Sequence, residues 1–105
     1  MAYATTEQGH RIYVKPTDPR ALGLIANKGR IIRGSLELWR LALGLHEWQT
    51  VIDIGVNYGE MLVGADIPEG VELIGFEPNT SLHKVLRKTL ETRGITIDLR
   101  AQAVA

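Results

Sequence analysis

The residues best placed to do chemistry are Asp53, Gly55, Asn57 and Gly59, which close the stretch Val51-Ile52-Asp53-Ile54-Gly55-Val56-Asn57-Tyr58-Gly59, together with Glu77. β-Branched residues around one acid, followed by two glycines four apart, read as a short buried strand that breaks into a tight turn and then a helix. Without a Cβ, Gly55 and Gly59 let a ligand approach the backbone closely. A second strand, Val71 to Phe76, ends in Glu77, 22 residues after Gly55, and Pro78 and Asn79 follow it. A carboxylate at a strand tip beside a glycine turn is placed to accept hydrogen bonds from the two hydroxyls of a ribose. The pair therefore points to a nucleoside bound outside the carboxyl ends of parallel strands.

These residues need a scaffold, and the rest of the chain supplies its signals. Residues 1–10 are small, polar and without periodicity, and are expected to fray. Arg11 to Lys15 alternates and stops at Pro16, as a short edge strand does. Thr17-Asp18-Pro19 offers an N-cap and a first-turn proline for a helix carrying Ala21, Leu22, Leu24, Ile25 and Ala26, with Gly29 to close it. Ser35 is the expected N-cap of a second helix to about Leu45, with Glu37 in its first turn. Its apolar positions cover more than half the circumference, which predicts burial on two sides. Glu60 to Ala65 has room for about two turns before Pro68. Asn79 or Thr80 caps a longer helix with Leu82, Val85, Leu86 and Leu90 on one face and Gly94 at its end. Ile95 to Arg100 alternates as a third strand running toward Ala101 to Ala105. The expected organisation is a flexible segment 1–10, a strand and helices over 11–49, and a βαβαβ half-domain over 50–105. Right-handed crossovers then make an α/β fold, a Rossmann-like parallel sheet ordered 3-2-1.

Composition narrows the function classes. The chain has 105 residues, enough for one small core. Lys plus Arg and Asp plus Glu number 12 each, so no net field draws in nucleic acid or an anionic membrane surface. There is no cysteine, hence neither a disulfide framework nor a thiolate metal site, which fits a reducing compartment and makes the cytoplasm the default expectation. The apolar run from Leu41 to Leu45 is far short of the roughly 20 residues a membrane span needs. His10, His46 and His83 have no metal spacing, Arg30, Arg33 and Arg40 read as a solvated face, and Trp39 and Trp48 as core or interface anchors.

The Asp-x-Gly-x-Asn-x-Gly of residues 53–59, the Gly75-Phe76-Glu77-Pro78-Asn79 after the second strand and Ala103-Val104 after the third resemble the motifs of FkbM-type methyltransferases, within the class I S-adenosylmethionine-dependent superfamily. The resemblance covers roughly Ile12 to Ala105. It implies that Gly55, Asn57 and Gly59 lie under the methionine part of S-adenosylmethionine and that Asp53 holds its polar end. By the same resemblance Glu77 binds the ribose hydroxyls, Pro78 and Asn79 line the adenosine, and Ala103 and Val104 lie near adenine. The implied activity is O-methylation of a sugar or natural-product hydroxyl, with a small-molecule or glycan acceptor and no metal. Val56 stands where the family usually has alanine, and its side chain either crowds the loop or faces the core. The family sheet has seven strands ordered 3-2-1-4-5-7-6, and this chain holds the first three, so it is expected to be the cofactor-binding half of an enzyme or a small protein reusing that half.

Two other readings compete. A nicotinamide-binding Rossmann unit shares the layout, but its fingerprint Gly-x-Gly-x-x-Gly meets Asn57 and Leu62 where glycines are required. The other is a non-catalytic truncated fragment that folds or self-associates without activity. The strand edge at Val51 to Ile54 would lack a partner, and an exposed apolar edge invites strand addition, so a homo-oligomer through it is expected.

Overall fold

The computed structural model describes residues 1–30 and 34–104. Arg33 and Ala105 lie outside the described residues. β1 (Tyr3–Thr5) and β2 (Arg11–Tyr13) form an antiparallel hairpin with Tyr3 opposite Tyr13 and Ala4 opposite Ile12. This corrects the expectation that residues 1–10 fray. Gly9, at φ +86°, turns the chain, and the Thr6 amide donates to the His10 carbonyl at 2.8 Å. The hairpin is held by packing against distant helices, so its short strands carry no periodic signal of their own.

α1 (Pro19–Ala26) starts as expected: Asp18 caps it by accepting the Arg20 amide at 3.1 Å, and Pro19 takes the first turn. α2 (Ser35–Gly44) is capped by Gly34 rather than Ser35, with the Glu37 carboxylate accepting the Gly34 amide at 3.1 Å. Its expected burial on two sides does not occur. Leu36 and Leu43 are buried, whereas Leu38, Leu41 and Leu45 are 61 to 71% exposed. Among the described residues only the flank carrying Leu36 and Leu43 is buried, with Leu43 joining Val51 in one apolar cluster.

β3 (Thr50–Ile54), β4 (Glu72–Phe76) and β5 (Asp98–Arg100) form a parallel sheet in the order β3-β4-β5. The β5 strand is shorter than the alternation from Ile95 suggested. α3 (Glu60–Val63), a single turn, connects β3 to β4. α4 (His83–Arg93) connects β4 to β5 after a 3-10 turn over Thr80–Leu82, which Asn79 caps by accepting the Ser81 amide at 3.2 Å. Gly94 ends α4 in the left-handed conformation. The fold class is α/β, and no described helix is long and apolar enough to cross a membrane.

Register fixes which side chains share a sheet face. Val51 and Leu73 point to the helix side, as do Asp53, Gly75 and Leu99 one pair along. Gly75 has no alternative there, since a Cβ would sit 2.7 Å from Ile97 and 2.8 Å from Val56. Ile52 and Ile54 point to the opposite face and are 49% and 63% exposed. Two clusters make the core. One joins the hairpin and α1 to Tyr58, Val63, Leu82 and Val85, and the other joins Leu43, Val51, Val56, Leu62, Leu73, Leu86 and Leu90. α3 and α4 each contribute to both clusters and so weld hairpin to sheet.

One buried hydroxyl fixes that weld. Thr89 Oγ1 accepts the Tyr13 amide at 2.8 Å and donates to the Val85 carbonyl at 3.1 Å. Thr89→Val keeps the shape and leaves the Tyr13 N–H unpaired, so urea unfolding should show a loss of about 1–3 kcal/mol, with Thr89→Ser retaining most of the stability.

Candidate functional site

The loop from Gly55 to Gly59 leaves β3 by three left-handed residues: Gly55 at φ +77°, Asn57 at +53° and Gly59 at +81°. Gly55 and Gly59 adopt these angles without strain, and Asn is among the few other residues that tolerate them. A Cβ on Gly59 would meet Leu86 at 3.0 Å, so this glycine serves helix packing, whereas a Cβ on Gly55 would have only Asn57 Nδ2 near it, at 4.0 Å. Val56 is 1% exposed and belongs to the core cluster, which resolves its two alternatives in favour of the core. The loop is tied to the end of β4, because the Gly55 and Val56 amides both donate to the Phe76 carbonyl, at 2.8 and 3.1 Å.

Glu77 completes the tie. Its Oε1 accepts the Asn57 amide at 2.7 Å and its Oε2 the Asn79 amide at 2.8 Å, and the residue is 3% exposed. The carboxylate thus clamps both loops at the strand ends, with one lone pair on each oxygen still free to accept.

Asp53 and Glu60 lie beneath this loop, each 9% exposed. Asp53 Oδ2 and Glu60 Oε2 are buried with no hydrogen-bond partner among the described residues. Burial, reinforced by the charge of Glu77, pushes the Asp53 carboxyl up to about 6. Burial, with Asp53 adding to it, pushes Glu60 up to about 7. Both line a cavity of about 320 Å³ whose wall also includes Arg20, Arg30, Gly55, Asn57 and Met61. Arg20 donates to Asn57 Oδ1 at 3.3 Å and lies 3.6 Å from Asp18. Asp18 in turn accepts the Tyr58 hydroxyl at 2.6 Å, and this contact lowers its carboxyl below the usual range. Burial and that bond push Tyr58 up to about 12.

Of the residues named from sequence, Asp53, Gly55 and Asn57 thus meet at one cavity, and Glu77 braces it through the Asn57 amide. Gly59 and Asn79 act in the scaffold, with Asn79 Oδ1 already engaged as a cap. Pro78, Ala103 and Val104 are exposed and do not line the cavity. Arg30 is part of the wall and pairs with Glu37 at 2.6 Å, and Arg40 donates to the Gly64 carbonyl at 2.7 Å, so neither is simply a solvated charge. Asp18, Arg20, Tyr58 and Glu60 were not singled out from sequence. The only signal for Glu60 is its place directly after Gly59, at the head of a helix whose other residues are all apolar. A larger cavity of about 490 Å³, lined in part by His10, Arg40 and Arg93, holds none of the sequence-named site residues.

An anionic, partly desolvated seat beneath an open glycine loop can receive a cationic group while the loop backbone approaches a flat or polar neighbour. No family model, curated protein or solved structure matches the chain.

Both raised carboxyls act on stability in one direction. Unfolded, they lose their protons near 3.8 and 4.5; folded, they keep them to about 6 and about 7. Their contribution is therefore greatest below the unfolded values and is lost as pH rises through the folded ones. Thermal melts should show stability falling between about pH 4 and about pH 7, the span from the unfolded to the folded values, and Glu60→Gln should flatten that fall by on the order of 3 kcal/mol.

Proposed function

We propose that this chain is the cofactor-binding half of an S-adenosylmethionine-dependent methyltransferase, FkbM-like, acting on a hydroxyl of a small molecule or glycan. The sheet order β3-β4-β5 is then the 3-2-1 half of a class I sheet, with β3 as its strand 1. One observation carries the reading: Glu77, at the tip of β4, clamps the Asn57 amide of a glycine loop that opens onto Asp53. Glycine turn, acid beneath it and acid on the neighbouring strand tip make the layout that a nucleoside with a charged tail requires.

The residues fit the group. With only Asn57 Nδ2 near a Cβ at Gly55, there is room for close approach, and the unpartnered Asp53 Oδ2 suits the ammonium of the methionine end. Glu77 would keep both amide bonds and accept ribose hydroxyls through its remaining lone pairs. When bound, S-adenosylmethionine supplies an already activated methyl group. The task of the chain's own residues is to hold the two ends of the ligand so that the acceptor oxygen meets the methyl in line. In calorimetric titration S-adenosylhomocysteine should bind and NAD should not. Asp53→Asn should weaken binding about tenfold or more without loss of fold. Absence of heat with S-adenosylhomocysteine in the wild type would sink the cofactor reading.

A second reading, a fragment that self-associates without activity, is favoured by the outer edge of the sheet. Among the described residues β3 pairs only with β4, and Ile52 and Ile54 stand exposed beside a groove lined by Trp39, Leu43 and Trp48. An edge of this kind pairs with a second copy. Sedimentation equilibrium should show a dimer whose population rises with concentration, and Ile52→Lys should return it to monomer.

A further inference from the structure

The cavity beneath the glycine loop contains two carboxylates where a single acid would be enough to anchor one end of a ligand. We propose that Glu60 joins Asp53 in a two-carboxylate seat for a primary ammonium group, the α-amino group at the ligand's amino-acid end. The inference rests on the cofactor reading above and adds to it a residue and a proton.

The chemistry follows from what the two side chains lack. Asp53 and Glu60 line the same cavity, and on each the carboxylate has one buried oxygen, Asp53 Oδ2 and Glu60 Oε2, with no hydrogen-bond partner among the described residues. Ionised and unpaired, such groups carry a desolvation penalty, which a bound cation offsets. Among the described residues, no cation forms an ion pair with Asp53 or Glu60, although the Arg20 charge acts on Glu60. Arg20 holds Asn57 and Asp18 from α1, and Arg30 pairs with Glu37 of α2 and lies 3.8 Å from Glu7. Glu77, across the loop, adds further negative charge near Asp53. Among the described residues no three His, Cys, Asp or Glu side chains group to hold a metal ion, so the seat suits a group that brings its own donors. A primary ammonium brings three and can bridge both carboxylates. Arg20 and Arg30 on the same wall complement the carboxylate of a zwitterionic end.

A proton balance accompanies this. With the cavity empty, both carboxyls hold their protons to higher pH than usual, to about 6 and about 7. An ammonium entering near neutral pH meets two carboxylates, and the proton that had neutralised the seat passes to solvent.

The test is calorimetric titration of the wild-type chain and Glu60→Gln with S-adenosylhomocysteine and with 5′-methylthioadenosine, which has the nucleoside and no amino-acid end. Each titration is run near pH 6.5 in two buffers of different ionisation heat. The expected result is a loss of about tenfold or more for S-adenosylhomocysteine in the variant, with 5′-methylthioadenosine held within about twofold. Proton release should accompany only the ligand that carries the ammonium, and should shrink in the variant. Retained 5′-methylthioadenosine binding reports that the variant is folded. Equal affinity of wild type and variant for S-adenosylhomocysteine, or equal losses for both ligands, overturns the role of Glu60 and leaves the cofactor reading standing. If neither ligand binds the wild type, both fall together.

Discussion

Everything at the carboxyl end of the sheet depends on the buried Glu77 carboxylate. Two backbone amides, from Asn57 and Asn79, converge on its two oxygens at 2.7 and 2.8 Å, while its own amide donates to the Arg100 carbonyl at 2.9 Å. Its carbonyl is met by His83 Nε2 at 2.8 Å, at the start of α4. One residue therefore joins the loop after β3, the loop after β4, the end of β5 and the head of α4. Charge-assisted bonds of this kind are roughly twice as strong as neutral ones, and an acid with an amide on each oxygen is held in place before any ligand arrives. The left-handed turn at Asn57 persists because this clamp and the Phe76 carbonyl over-determine it.

The clamp also sets the electrostatics below it. With Glu77 ordered at the strand tips, Asp53 faces another negative charge and little water, and Glu60 feels Asp53 in turn. The site gathers two acids that do not pair with the arginines on the same wall, although the whole chain is neutral. That local imbalance would be a liability in a core and is an asset in a cavity, because a cationic group removes the desolvation penalty of both acids at once. The link from Asp18 to Tyr58 extends the same frame to α1, so the N-terminal helix contributes Arg20 to the wall rather than merely covering the sheet.

Away from the site, one sheet face and one strand edge are left uncovered by the described residues. Ile52 and Ile54 point away from the helices, and the outer leucines of α2 are exposed. Helix amphipathicity alone predicted a two-sided burial that needs a second layer, and among the described residues this chain has one. The packed face shows the converse: Val51 and Leu73 are buried in one cluster with Leu62 of α3 and Leu86 and Leu90 of α4, and at position 75 Ile97 and Val56 leave room only for a glycine.

Much of the site was legible in the sequence because its devices are local. A left-handed turn needs glycine or asparagine, a helix start needs Asp18-Pro19 or Asn79, and a strand that ends in an acid announces a polar tip; each requirement acts over a few residues. The parallel three-stranded sheet followed from strand and helix alternation for the same reason. Other features were decided by residues far apart in the chain. The hairpin of residues 3–13 exists because Thr89 and the apolar residues of α1 and α4 receive it. Glu60 is indistinguishable in sequence from any acid in a first helical turn. Only the folded chain buries it beside Asp53 with an oxygen left unpaired, since burial and charge coupling are properties of three-dimensional neighbours and not of spacing along the chain.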